Sequence, residues 1–283
     1  MSFRTKHFIS LAAWAALGFS LTGASAQQGA GAAAAPPLAP HRAVYDLSLM
    51  KGGTGRGPVA ASGRIAYDFS GSSCEGYTVA FRQFTEMTPA DGEPSISDMR
   101  STTFESPDRK TMRFRVEHME EGRVTKRVDG SAIRSGDGAL SLQLRQPAPM
   151  QADIDHDVVF PTDMTLRTLD AARAGQTILP LKVFDGSDTG DKIYHTMSII
   201  GRPSTAPLAD ASKDVPSMKD MRRWSVRVSY FDIDKLDAPP VYILSFQMWD
   251  NGISSDLVID YGDFQLKGSM SKLEMLPVNA CRN

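Results

Sequence analysis

Arg223-Trp224-Ser225-Val226-Arg227-Val228-Ser229-Tyr230-Phe231 is the stretch that decides the fold. Trp224, Val226, Val228 and Tyr230 share one parity; Arg223, Ser225, Arg227 and Ser229 share the other. Successive side chains of a strand point to opposite faces, so this is a half-buried strand with one face on a core and one in water. The same period recurs elsewhere. In Thr111–Met119, Met112, Phe114 and Val116 oppose Arg113, Arg115 and Glu117. In Val241–Met248 the shared face is Tyr242, Leu244, Phe246 and Met248. Further strands are expected at Ala43–Met50, Gly63–Phe69, Tyr77–Phe84, Ser101–Glu105, Gly122–Val128 and Ala139–Leu144. Others follow at Thr177–Asp185, Ile193–Gly201, Ser254–Asp260 and Phe264–Met275. Turn-forming clusters separate them, as in Met50–Pro58, Pro107–Lys110, Asp185–Asp191 and Asp250–Gly252. Many short strands with regular turns predict an all-β chain, an antiparallel barrel or curled sheet.

One helix interrupts the pattern. Thr162 is placed to act as N-cap and Asp163 suits the first turn. Met164, Leu166, Leu169 and Ala172 supply an apolar stripe, and Gly175 falls at C′. A single helix in a β chain is expected to plug or cover an open barrel end. Arg202–Asp220 shows no periodicity and carries Pro203, Pro207 and Pro216, which predicts an exposed excursion between two strands.

The first 26 residues read as a cleavable signal peptide. Arg4 and Lys6 are its basic start, Phe8–Leu21 its uncharged apolar run, and Ala24-Ser25-Ala26 its small-x-small cleavage site. That run is shorter than the roughly 20 residues a membrane span needs, so the chain is not expected to cross a membrane after cleavage. Residues 27–40 (QQGAGAAAAPPLAP) form an Ala/Gly/Pro-rich leader that cannot bury a core, which leaves 41–283 as a single β domain. The formal charge of −2 gives no basic face for nucleic acid. Cys74 and Cys281 are the only cysteines. An even number in an exported chain predicts a disulfide between them, tying the C-terminal tail to the first third of the domain. No C-x-x-C motif supports redox catalysis.

No residue pattern identifies a reaction, and no cofactor is expected. There is no G-x-S-x-G elbow: Gly252-Ile253 leads into Ser254-Ser255-Asp256 without the glycine the elbow needs after the serine. Gly52-Gly53-Thr54-Gly55-Arg56-Gly57 lacks the Lys-Ser/Thr of a phosphate cradle and reads as a loop. The histidines are dispersed without zinc-ligand spacing. His195, beside Asp191 and Tyr194, is the best general-base candidate, against the plainer reading of a strand residue. Asp185, Ser187, Asp188 and Asp191 weakly resemble a calcium loop. The twelfth-position glutamate is missing, and a turn whose carboxylates cap backbone amides accounts for the same residues.

Several segments together resemble a known family: His41–Leu47 (HRAVYDL), Cys74–Tyr77 (CEGY), Val159–Thr162 (VFPT) and Val183–Asp188 (VFDGSD), then Asn251–Ser254 (NGIS), Asp260–Phe264 (DYGDF) and the closing Cys281. The chain is identified on these as similar to the EipB-like cell-envelope-integrity family of periplasmic proteins. That resemblance implies a β-spiral: an antiparallel sheet curled into an open, broken barrel with helical packing inside, like periplasmic lipoprotein carriers. It also implies a disulfide joining this pair of cysteines and a role in envelope integrity under stress, and it carries over no catalytic residues. The leading expectation is therefore a periplasmic factor that binds a protein partner or envelope component. The rivals are a carrier of a lipid or lipoprotein acyl chain and a hydrolase of an envelope polymer using His195.

Overall fold

The computed structural model describes residues 38–51, 57–136, 138–233, 237–278 and 281. The signal peptide, most of the leader and the Gly52–Arg56 part of the glycine-rich loop lie outside them. Among the described residues no helix is long and apolar enough to cross a membrane.

The first half of the sheet is a run of hairpins: β1 (His41–Lys51), β2 (Ala60–Ser72), β3 (Gly76–Thr88), β4 (Ser95–Glu105), β5 (Thr111–Glu120), β6 (Arg123–Arg134), β7 (Ala139–Gln146) and β8 (Met150–His156). The two-residue β9 (Val158–Val159) leads into helix α1 (Pro161–Arg173). The second run is β10 (Ile178–Val183), β11 (Tyr194–Ser204), β12 (Arg223–Asp232), β13 (Tyr242–Trp249), β14 (Ser254–Asp260) and β15 (Gln265–Met275). All fifteen belong to one sheet, ordered β8-β7-β6-β5-β4-β3-β2-β1-β15-β14-β13-β12-β11-β10-β9. Every pairing is antiparallel except β9 with β10. Parity holds for the apolar face, where Met112, Phe114 and Val116 are buried, as are Trp224, Val226 and Val228; Arg223, expected on the water face, is buried too and donates to the Ala206 carbonyl.

Topology forces this sheet to curl. β8 and β9 stand at opposite edges of the order, yet only Asp157 separates them in the chain. Consecutive Cα atoms are about 3.8 Å apart, so the two edges meet at this corner within about 8 Å. No ladder joins β8 to β9 or β10 among the described residues, so the barrel stays open along that seam. The helix confirms the curl. One core cluster unites Leu169 and Ala172 of α1 with Phe69 and Tyr77 of β2 and β3 and with Ile200 and Trp224 of β11 and β12. In a flat sheet β3 and β11 would lie seven strand spacings, or about 34 Å, apart. The helix touches both because the sheet wraps around it.

Three expectations are corrected. Thr162 is not the N-cap. Phe160 holds that position without a side-chain cap, and Pro161 occupies the first turn, where its missing N–H and fixed φ fit. The Thr162 N–H instead donates to Glu105 Oε1 of β4 at 2.7 Å, so a carboxylate 57 residues away does the capping. At the other end the sequence reading holds. Gly175 (φ +74°) donates to the Ala172 carbonyl and Gln176 to that of Ala171, a Schellman closure. Second, the 202–220 excursion, exposed over most of its residues as expected, is not detached from the core. β11 runs on to Ser204, and single 3₁₀ turns at Ala211–Asp214 and Pro216–Met218 follow. Met218 is buried with Tyr45, Trp249 and Met270, and Leu208, Ala211, Val215 and Met221 pack against that cluster. Third, the folded part begins before His41. Leu38 is buried in the core, and the Ala39 N–H donates to the Asn251 carbonyl.

Candidate functional site

The inner faces of β1–β5 and β13–β14 do not meet at the centre of the curl. They enclose a cavity of ≈ 550 Å³, within the range of small-molecule sites. Ile65, Phe69, Val79 and Phe81 wall it from one arm of the sheet; Leu244 and Ile259 wall it from the other. Pro161, Thr162 and Thr165, on the first turn of α1, contribute a further wall. Tyr67, Phe81 and Leu244 point inward yet are only half-buried, because the surface they keep faces this space.

A few polar groups stand at the margins of this apolar space. His41 is buried, and its Nδ1 lies 2.7 Å from the Ala39 carbonyl it donates to. Burial lowers its pKa, against that hydrogen bond and the charge of Asp68, so the ring is neutral at pH 7. Its neighbours are the rings of Tyr67 and Phe69, with centroids 5.5 and 5.9 Å away. The Tyr45 hydroxyl donates to the Ser254 carbonyl at 2.6 Å. Glu105 lies beside the Thr162 wall. Burial pushes its carboxyl up to about 7, although the helix N–H groups it accepts pull the other way. Its Oε2 is buried without a hydrogen-bond partner. Asp185 borders the opposite end, where burial raises its pKa and the Ser187 N–H donates to it at 2.9 Å. Tyr242, stacked on Tyr230 at 4.3 Å, has its hydroxyl pushed well up by burial and by Tyr230. The site can surround an apolar group on most sides and offers hydrogen bonds at its ends.

Residues singled out from sequence fall in three places. Cys74 and Cys281 are bonded to each other, 207 residues apart in the chain. The carboxylates of the acidic turn are engaged with neighbouring protein groups. The Asp185 carboxylate caps a backbone amide, and Asp188 pairs with Lys126 at 2.6 Å. The Thr189 hydroxyl donates to Asp191. Among the described residues no group of three or more His, Cys, Asp or Glu side chains comes together around a common point. The turn presses on the core instead: a Cβ at Gly186 (φ +70°) would lie 2.5 Å from the Phe114 ring. His195 stands on the outer face of β11, opposite Lys182 and Phe231, away from the cavity.

Sequence reading missed Glu105. Period-2 alternation through Ser101–Glu105 turns Phe104 inward and Glu105 outward, and the structure has the reverse. Phe104 lies outside beneath the Arg113 guanidinium (4.9 Å), and Glu105 faces the helix N-terminus, whose N–H groups need an acceptor.

Comparison with known proteins agrees with this architecture. The family model described as EipB-like matches residues 32–277. The chain belongs to the EipB-like family. It is 34% identical over 247 residues to the cell envelope integrity protein EipB of Brucella abortus (strain 2308), covering 87% of each chain. It also resembles the crystal structure of a β-barrel-like protein of a domain of unknown function from Brucella abortus. There the TM-score is 0.80 at 32% identity, over 86% of this chain and all of that one. The β-barrel-like fold is therefore shared with that solved protein.

Proposed function

We propose that this chain maintains cell-envelope integrity in the periplasm by holding the apolar part of an envelope component, a lipid or an acyl chain, in the interior cavity. The observation that carries the reading is the ≈ 550 Å³ space under the curled sheet, walled by aromatic and aliphatic side chains. A chain that only needed a core would fill that space with its own side chains. The export signal and the Cys74–Cys281 bond support the compartment. The relative's name supports the envelope role.

Native mass spectrometry of the mature protein purified from the periplasm tests this. A co-purifying mass that extracts into organic solvent as an amphiphile is expected. Val79→Phe, which fills the cavity from β3, should lose that mass with little change in melting temperature. A wild-type protein that carries nothing and binds no added acyl amphiphile would falsify the reading.

A second reading, capture of a protein partner, is favoured by one feature of the outer face. Ile178 (61% exposed) stands directly opposite Ile199 (54% exposed), and the exposed Met197 stands opposite Pro180. A photo-crosslinking residue at Ile199 should then trap a periplasmic protein that the same probe at Arg115, on the far arm, does not.

A further inference from the structure

Where α1 begins, three guanidinium groups gather around a single carboxylate. Asp163 is 3% exposed, and both of its oxygens are taken: Arg109 Nη1 donates to one at 2.9 Å and Arg167 Nε to the other at 3.2 Å. Arg134 enters from the end of β6. Its backbone N–H donates to the Lys110 carbonyl, which holds it next to Arg109, and its Cζ lies 5.3 Å from the centre of the Phe160 ring. The ring supports the face of the guanidinium but cannot accept from N–H groups in its plane. Nε and Nη2 of Arg134 are buried with no acceptor among the described residues. A buried, unpaired donor of this kind is costly, and more so when charged. Arg109 and Arg167 are half-exposed, so the cluster reaches solvent through these two side chains, while the two Arg134 donors lie beneath the surface and meet an anion only when a neighbour shifts. Two other acids stand near: Asp157, at the seam, whose charge acts on Arg134, and Glu105, which accepts from the Thr162 N–H beside Asp163.

We propose that Arg109, Arg134 and Arg167 form a binding site for a phosphoryl or carboxylate group, with the two unpaired donors of Arg134 as its fork. Planar guanidinium donors match the oxygens of such anions bidentately. The site does not depend on the cavity being occupied.

The test compares melting temperatures of the mature chain in sodium phosphate and in sodium chloride at equal ionic strength, and then with dodecyl phosphate. Phosphate should stabilise the wild type beyond chloride. Arg134→Gln should weaken phosphate binding about ten-fold or more, as loss of charge-assisted hydrogen bonds implies. Arg113→Gln, on the outer face, should leave binding unchanged. Dodecyl phosphate binding well below the inorganic phosphate range would identify the anion as an amphiphile headgroup; equal ranges would identify a free anion. The cavity-filling Val79→Phe protein should still bind inorganic phosphate, so failure of the acyl-ligand reading stays distinct. No stabilisation by either probe beyond chloride, or an undiminished effect in Arg134→Gln, overturns the site.

Discussion

Glu105 shows how one residue can serve the fold and strain it. It caps a helix from a distant strand, and for that it is buried with one oxygen unpaired. Its pKa of about 7, against an ordinary 4.5, means that the folded state holds a proton which the unfolded chain has released. Between these values the folded state binds more protons, so stability falls as pH rises and levels off above about 7. His41 has the opposite sign. Its lowered pKa keeps it neutral while the unfolded chain protonates, so its contribution is lost as pH falls below 6.5. The two slopes oppose each other in mildly acid solution, and only a difference measurement separates them. Glu105→Gln keeps an oxygen for the Thr162 N–H and removes the titration. It is expected to gain stability over wild type between pH 5 and pH 8, by roughly 3 kcal/mol for a shift of this size. Urea unfolding of both proteins across that range checks this; parallel curves would refute it.

At the scale of elements, what was legible depended on which period a segment obeys. β5, β12 and β13 are central strands with one face on the core, and their alternation states their orientation. β8 was missed because it is short, bounded by prolines and at the edge, although Met150, Ala152 and Ile154 do alternate with Gln151 and Asp153. The 202–220 excursion is largely exposed, as its prolines and charges imply, but they mask the spacing that anchors it. Leu208, Ala211, Val215 and Met218 recur at three and four residues, the interval that brings side chains onto one helical face. The structure uses that face in two 3₁₀ turns that cover the cluster around Tyr45 and Trp249. The cavity itself was not legible. An apolar strand face reads the same whether a neighbour fills the space before it or leaves it empty. One substitution decides between an exposed and an inserted excursion. Met218→Ala at a solvent-exposed site would change stability by less than about 0.5 kcal/mol. At this buried site it should cost about 2–5 kcal/mol, read from the denaturation midpoint.

Across the whole molecule the sheet is two runs of consecutive hairpins, β1–β8 and β10–β15, and among the described residues the only ladder joining the runs is β1 with β15. The main joint of the sheet thus pairs the first strand with the last, the contact with the greatest loop-closure cost in the chain. The disulfide sits at the end of this joint. His41 pairs with Met275 on one side and Phe69 on the other, so β15 ends on the same side of the sheet as the β2–β3 turn that carries Cys74. Closing a loop of 207 residues removes unfolded-state entropy equivalent to about 5 kcal/mol, an upper value because residual unfolded structure reduces it. Replacing both cysteines by serine should therefore lower the melting temperature by on the order of 10 °C. Hydrogen exchange should locate the effect: amides of Val44–Leu49 and their β15 partners should lose protection before those of β5 and β6, which are held by local hairpins. A uniform loss would mean that the bond stabilises the chain without guarding this joint. An unchanged melting temperature in wild-type protein with and without reductant would mean that it does neither. The cavity draws walls from both runs, so loosening the joint should also weaken ligand retention, and an acyl ligand held between the arms should restore part of the lost stability by mass action.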